Sequence, residues 1–468
     1  MKIKDSFLPL LLLFCVLGFT SCSDNDGPGY SASALKNAEL MTILKSKGYT
    51  FDQEGKLELN DLANNTTSLD LSGTNISDFT GLDILPNLKE VKLSNNGYGP
   101  SFDFSKLPAQ ITGIDLTGNE LYDFEGLVST ELVNDEIKTA ILRPLTKLYL
   151  PATVKYNVED LMPFYKENQA EKKAVDMKMV DAEGNLQTYN TIRLIPDEYF
   201  REYLKIKFSS VFVNETSIDI SLPMNLKAQG ENLIMGYLTP FKDLDKVKSI
   251  EGIEYFINNP FYKPFSVALK CINHCAVSYI MPRGNVKALL LSNIDTPAEI
   301  DLSKAVALTS LSMENNSNIV KLDFSKTLVG NQEGDSFDYL FSNSVALTQC
   351  HQLQQLVFNM SSIGIFDAFD VTDAPKLAAL DLSFAKGFQN FVLLQLPNCK
   401  IVFPTNLKYY YDAAASEAVE LSDENQITFA ITKDVYEQTT TKKFIEKNER
   451  FLADGAAEYG KYNAYVWK

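Results

Sequence analysis

Histidine and tryptophan are nearly missing from this chain, which has two of the first (His274 and His351) and one of the second (Trp467) in 468 residues. Two histidines leave few bases for nucleophilic catalysis. The local signatures of a nucleophile elbow, a phosphate-binding loop and a zinc peptidase (G-x-S-x-G, G-x-x-x-x-G-K-[ST], H-E-x-x-H) do not occur. Cysteine is also scarce, at six residues, whereas a small exported domain held by disulfides would carry a denser set. The formal charge of −17 removes the basic face that nucleic acid or anionic headgroups would need. Long apolar runs are lacking too. The longest, Phe7–Gly18 (FLPLLLLFCVLG), falls short of the roughly 20 residues that a helix needs to cross the hydrocarbon core. With 45% hydrophobic and 11% aromatic residues, the chain can still build ordinary cores, and its length allows two or three domains.

What is present begins at the amino terminus. Lys2 and Lys4, the apolar run, and small residues Thr20 and Ser21 before Cys22 have the layout of a secretory signal, residues 1–21. The stretch "FTSC" resembles the lipobox of bacterial lipoproteins, and "SDND" after the cysteine resembles the acidic export signal of Bacteroidota surface lipoproteins. The resemblance implies acylation of Cys22, a flexible tether over 22–30, and an outer-membrane protein facing the exterior. The membrane would be touched through the lipid alone.

A phrase then repeats. "SLDLSGTNI" (68–76), "EVKLSNNGY" (90–98) and "GIDLTGNEL" (113–121) place Leu71, Leu93 and Leu116 at steps of 22 and 23. Leu269, Leu291 and Met313 step by 22 and 22, and Phe358, Leu382 and Phe403 by 24 and 21. One strand and its return loop cannot bury their own apolar side, so units on such a beat must stack. A second phrase, "FDFSKLP" (102–108), "IDLSKAVAL" (300–308) and "LDFSKTLVG" (322–330), supplies buried residues to the far side. The period and phrase resemble the leucine-rich repeat, and "DLSKAVALTSLSMENNSNIVKLDFSK" (301–326) is similar to bacterial members of that family.

The rhythm stops after "KLYLPAT" (147–153) and resumes near Leu269. "IPDEYFREYLKIKF" (195–208) predicts a short amphipathic helix starting at Pro196 and Asp197, with Tyr199, Phe200, Tyr203 and Leu204 on its apolar side. The stretch 38–62 stands in the same place before the first set of repeats. The expected fold is an α/β solenoid with two tandem capped arrays and parallel strands on the concave face. The arrays span 31–153 and 192–405, joined by a helical or irregular connector at 154–191 and followed by a carboxy-terminal cap at 406–468. A strand over 427–431 and a helix near 435–452 are expected in that cap.

Candidate chemistry is thin. "CINHC" (271–275) and Cys350–His351 hold ligand types that zinc prefers. Their separation of about three coils, at ~5 Å per coil, favours packed thiols over a shared ion, with a Cys271–Cys275 or other disulfide as a further alternative. "FDQEGKLELND" (51–61) has an incomplete calcium-loop pattern and reads as a solvated hairpin. No metal, cofactor or catalytic set is expected. The repeat resemblance implies a binding face made of the residues between the ladder positions. These are Asp70, Ser72, Lys92, Ser94, Asp115 and Thr117 in the first array, and Lys270, Ser292, Ser310, Ser312, Glu314 and Asp323 in the second. Their mixed polarity suits a protein ligand, with a glycan as the alternative, and these positions carry no aromatic ring for a sugar to stack on.

Overall fold

A computed structural model describes residues 29–134, 136–170, 175–224, 232–237, 241–331, 343–412, 414–415, 417–452 and 465–466. The 1–21 segment, Cys22, most of the 22–30 stretch and Trp467 lie outside the described residues. Among the described residues, no helix is long and apolar enough to cross a membrane.

The first sheet has six strands. β1 (Ser68–Asp70), β2 (Glu90–Lys92), β3 (Gly113–Asp115), β4 (Lys147–Leu150) and β5 (Asp176–Val180) run parallel in chain order, and β6 (Leu186–Thr188) pairs antiparallel with β5. Leu69, Val91, Ile114, Leu148 and Met177 stand in register across the five parallel strands. All five side chains are buried, as are Leu71, Leu93 and Leu116 just past the strand ends. Asparagine makes the turns. Asn96 and Asn119 donate to the carbonyls of Leu71 and Leu93, one coil back, at 3.1 and 3.0 Å. A buried backbone carbonyl needs such a partner. The sheet also runs past residue 153, because β5 and β6 belong to it. The segment expected as a connector is thus partly the continuation of the first sheet, with a helix at Leu161–Ala170 between β4 and β5.

The second sheet follows the same plan at greater width. β7 (Leu233–Met235), β8 (Ser266–Ala276), β9 (Ala288–Asp295), β10 (Ser310–Glu314), β11 (Ser344–Thr348), β12 (Ile365–Thr372) and β13 (Gly387–Leu394) are parallel neighbours in chain order. β13 then forks. Its first residue pairs with β14 (Tyr409–Asp412), which turns back into β15 (Glu417–Glu420), and its second half pairs in parallel with β16 (Thr428–Ile431). The strand expected near 427–431 is therefore part of the sheet, followed by helices at Lys433–Tyr436 and Thr439–Asn448. Met235, Leu269, Leu291, Met313, Leu347, Val371, Leu393 and Ile431 form one inward ladder, all buried. Asn293 inside β9, and Asn315, Gln349, Asp373 and Gln395 just past the ends of β10, β11, β12 and β13, have φ between 53° and 57°, a left-handed turn that asparagine and aspartate adopt more readily than most side chains.

Part of the expected ladder changes sides. Phe358, Leu382 and Phe403 follow the strands Gln355–Val357, Ala379–Asp381 and Lys400–Val402, which lie on the return side of the coil. There Lys321–Asp323 pairs with Gln355–Val357, and Ala379–Asp381 with Lys400–Val402, in separate two-stranded parallel sheets. The front strands of those coils are instead β11, β12 and β13. Both sides of a coil use an apolar-x-apolar phrase, so spacing alone cannot assign the side. Leu382 is buried as expected, but in the return ladder.

Two hydrophobic cores result, one built from residues 35–189 and the other from Tyr156 onward. Each is closed at its start by a helix. Asn37 caps Ala38–Ser46, and Leu40 and Leu44 face inward. Asp197 caps Glu198–Phe208 and also accepts from the backbone of Lys248 and Ser249, while Phe200, Tyr203, Leu204 and Phe208 are buried. In the 51–61 hairpin, Asp52 accepts from the amides of Glu54 and Lys56.

Candidate binding faces

The first outward face carries interleaved charge. Registered pairing puts Asp70, Lys92, Asp115, Tyr149 and Lys178 in one row across β1–β5, and Ser68, Glu90, Gly113, Lys147 and Asp176 in the next. Lys92 lies 3.7 Å from Asp70, and Lys147 reaches over Gly113 to Glu90 at 2.9 Å. A Cβ at Gly113 would come within 2.5 Å of the Glu90 side chain, so glycine is what lets this bridge skip a strand. Hydrogen bonds from Ser72 hold the Asp70 carboxylate below its ordinary pKa. Thr117 donates to Asp115 at 2.7 Å. Ser94 is buried against Ser72, 2.8 Å between hydroxyls, and so belongs to the wall of the coil rather than its surface.

Sequence reasoning missed Tyr149, Glu90, Lys147, Asp176 and Lys178 on this face. The phrase "KLYL" already marked β4, but β5 carries no repeat phrase, and its register is visible only in the sheet. The Lys147 and Lys178 ammonium groups lie 4.8 and 5.0 Å from the Tyr149 ring centroid, and its hydroxyl donates to Asp176 at 2.5 Å. This aromatic is engaged by its own neighbours.

The second outward face is made of narrower residues. Ala268, Leu290, Ser312, Ala346, Asp370, Val392 and Ala430 form its central row. Ser292 and Ser310 are each 1% exposed and form the floor of the face. Ser292 donates to Glu314 at 2.6 Å. Lys270 stands 5.7 Å from the ring centroid of Tyr237, a half-exposed tyrosine whose hydroxyl burial and Glu314 push up to about 12. Burial raises Asp370 to about 6 against the Thr372 hydroxyl that donates to it. Asp323 departs from expectation: it lies on the return side, in the strand Lys321–Asp323, beside Asp301 and Lys326 around a hollow of about 380 Å³.

The "CINHC" stretch sits in β8 at a break in register. Cys271 and Cys275 are buried with their sulfurs 2.6 Å apart. Cys350 instead packs at the end of β11, its thiol near the carbonyl of Met313 and pushed up to about 12 by burial. A thiol so raised is a poor nucleophile. His274 pairs with Asp295 at 3.5 Å and His351 with Asp373 at 3.2 Å. Each histidine thus has its own carboxylate. Among the described residues, the groups close enough to share an ion are Asp123, Glu159 and Asp160.

Those carboxylates lie where the two cores meet. Tyr279 is stacked between Tyr122 and Tyr156, with centroids 4.7 Å away on each side. Tyr156 also bonds the Glu251 carboxylate and the Ser278 hydroxyl. Lys304 joins the group from the second core, 2.6 Å from Glu125 and 3.4 Å from Asp123. Burial, then the Glu159 charge, pushes Asp160 up to about 7. Compared with protein-family models, curated proteins and solved structures, the chain has no significant match to any of them.

Proposed function

We propose that this chain is a lipid-anchored surface protein of the leucine-rich repeat type, non-catalytic, which holds a protein ligand against its strand faces. The reading of two stacked, capped arrays draws support from the one-strand-per-coil parallel ladders and from the helices at the start of each core. The observation that carries the choice of ligand is the first outward face. Asp70, Lys92 and Asp115 alternate in sign across neighbouring strands, and in the next row Glu90 and Lys147 pair across Gly113. Such a pattern selects partners by charge complementarity and register. A sugar ring would want a bare aromatic, and Tyr149 is engaged by two lysines and Asp176.

The test is a protein and glycan array probed with the purified ectodomain, run beside a Lys92→Glu, Lys147→Glu variant. Each reversal sets a new carboxylate beside Asp70 or Glu90, at a cost on the order of 1 kcal/mol, so the variant should still fold while ligand capture falls. Glycan hits that survive the double reversal would replace this reading with glycan capture.

A further inference from the structure

We propose that Cys271 and Cys275 join in a disulfide within the single strand β8, closing a ring that presents Ile272, Asn273 and His274 as a fixed tip. In a regular strand, residues four apart share a face but stand ~13 Å from each other, too far for a bond that needs Cα atoms within about 7 Å. β8 escapes this limit. Lys270 pairs with Ser292, and the next registered pair is Cys275 with Ile294. Four residues of β8, 271–274, therefore face Asn293 alone. The excess chain loops outward, leaving Ile272 59% exposed, while both sulfurs turn inward and touch at 2.6 Å.

The feet of the loop are held from three sides. Asn293, in the left-handed turn, donates to the carbonyl of Cys271 at 2.7 Å and is itself held by Asn315 at 2.8 Å. Ala276 exchanges backbone hydrogen bonds with Lys248 and Ile250. At the tip, Asn273 donates to the carbonyl of Asp245 at 2.7 Å. The thiols are brought together by this framework at 2.6 Å, and the sulfurs need close by only about half an ångström to reach bond length. The ring stands next to Lys270, at the margin of the second outward face.

Formation breaks two S–H bonds and makes one S–S bond. Two electrons and two protons pass to an oxidised thiol–disulfide couple, which leaves as two thiols. One cysteine attacks the couple as thiolate, and the other then resolves the mixed disulfide. Because both sulfurs are buried, the exchange belongs to folding, before the neighbouring coils close over them.

Trypsin offers a direct readout, because Lys270 and Arg283 bracket both cysteines in one peptide, 271–283. The full chain is refolded with a mixture of oxidised and reduced glutathione, denatured, alkylated without reductant and digested. We expect this peptide about 2 Da light and unalkylated, and alkylated twice once reductant precedes the reagent. The peptides holding Cys350 and Cys399 should be alkylated in both arms. Two alkyl groups, or glutathione adducts, on the 271–283 peptide without reductant would overturn the proposal. A Cys271→Ser, Cys275→Ser variant supplies a second measurement, since hydrogen exchange at 272–274 should quicken by at least tenfold. Unchanged exchange would mean that no bond fixes the tip.

Discussion

Arg283 reaches from the second core to Asp123 of the first, with its Nη1 2.8 Å from the carboxylate, and the two side chains keep 11% and 5% of their exposure. The same guanidinium lies 3.4 Å from Glu159. Removing one partner of a buried pair strands the other charge away from water, at a typical cost of ~3–5 kcal/mol. Arg283→Met should therefore weaken the junction by about that much and separate unfolding into two transitions, one per core. Asp123→Asn in the same chain should restore part of the loss. Calorimetry on the wild type and both variants checks it, and a single unshifted transition for Arg283→Met would refute the coupling.

The junction should also respond to pH. Burial raises Asp160 from 3.8 to about 7 and Glu254 from 4.5 to about 8. Between the unfolded and folded values the native state holds more protons than the unfolded chain. The stabilisation is thus full below about pH 4 and is lost as pH rises through 7 to 8. Asp123 runs the other way, its pKa held low by Arg283 and Lys304 despite burial, and it costs stability only in acid. The melting midpoint should fall between pH 5 and 8.5. Asp160→Asn, neutral at every pH, should flatten that slope and raise the midpoint at pH 8 by ~2 °C or more. A wild-type midpoint that climbs over this range would contradict the assignment.

Leu71, Leu93, Leu116, Leu291 and Leu382 are each at most 1% exposed. Truncation of any one to Ala should cost ~2–5 kcal/mol. Position decides which part loosens. Leu291→Ala should speed hydrogen exchange in β8–β10, and Leu382→Ala in the return strands Ala379–Asp381 and Lys400–Val402. Denaturant melts with peptide-resolved exchange separate the two. Loosening of the front sheet alone by Leu382→Ala would place that leucine on the wrong side.

Cys22→Ser should release the protein into the soluble fraction, since stable anchoring takes two or more acyl chains and this is the residue expected to carry them. Mass spectrometry of the wild-type amino-terminal peptide checks the lipid directly. A variant that stays membrane-bound, with a bare Cys22 in the wild type, would end the anchor reading.

How much of this was legible beforehand follows from what repeats. A period of 22 or 23 in Leu71, Leu93 and Leu116 predicts stacked strands because each coil must bury the apolar side of the next. Charge and composition argue against a nucleic-acid partner, and Asp197 announced its helix by capping chemistry that is local in the chain. Other features were decided by the tertiary structure. The side on which Phe358 and Leu382 fall depends on which phrase pairs with β11, and both phrases look alike. Their places between ladder positions put Ser292 and Ser310 on the surface by sequence, but in the folded sheet so short a side chain is covered. β5 joined the first sheet without a repeat phrase, because a strand held between β4 and β6 needs register and one buried residue, Met177, more than it needs a motif. The junction of Asp123, Glu159, Arg283 and Lys304 draws on four positions far apart in sequence. Their pairing and their raised or lowered pKa values come from burial and proximity, which are properties of the folded chain.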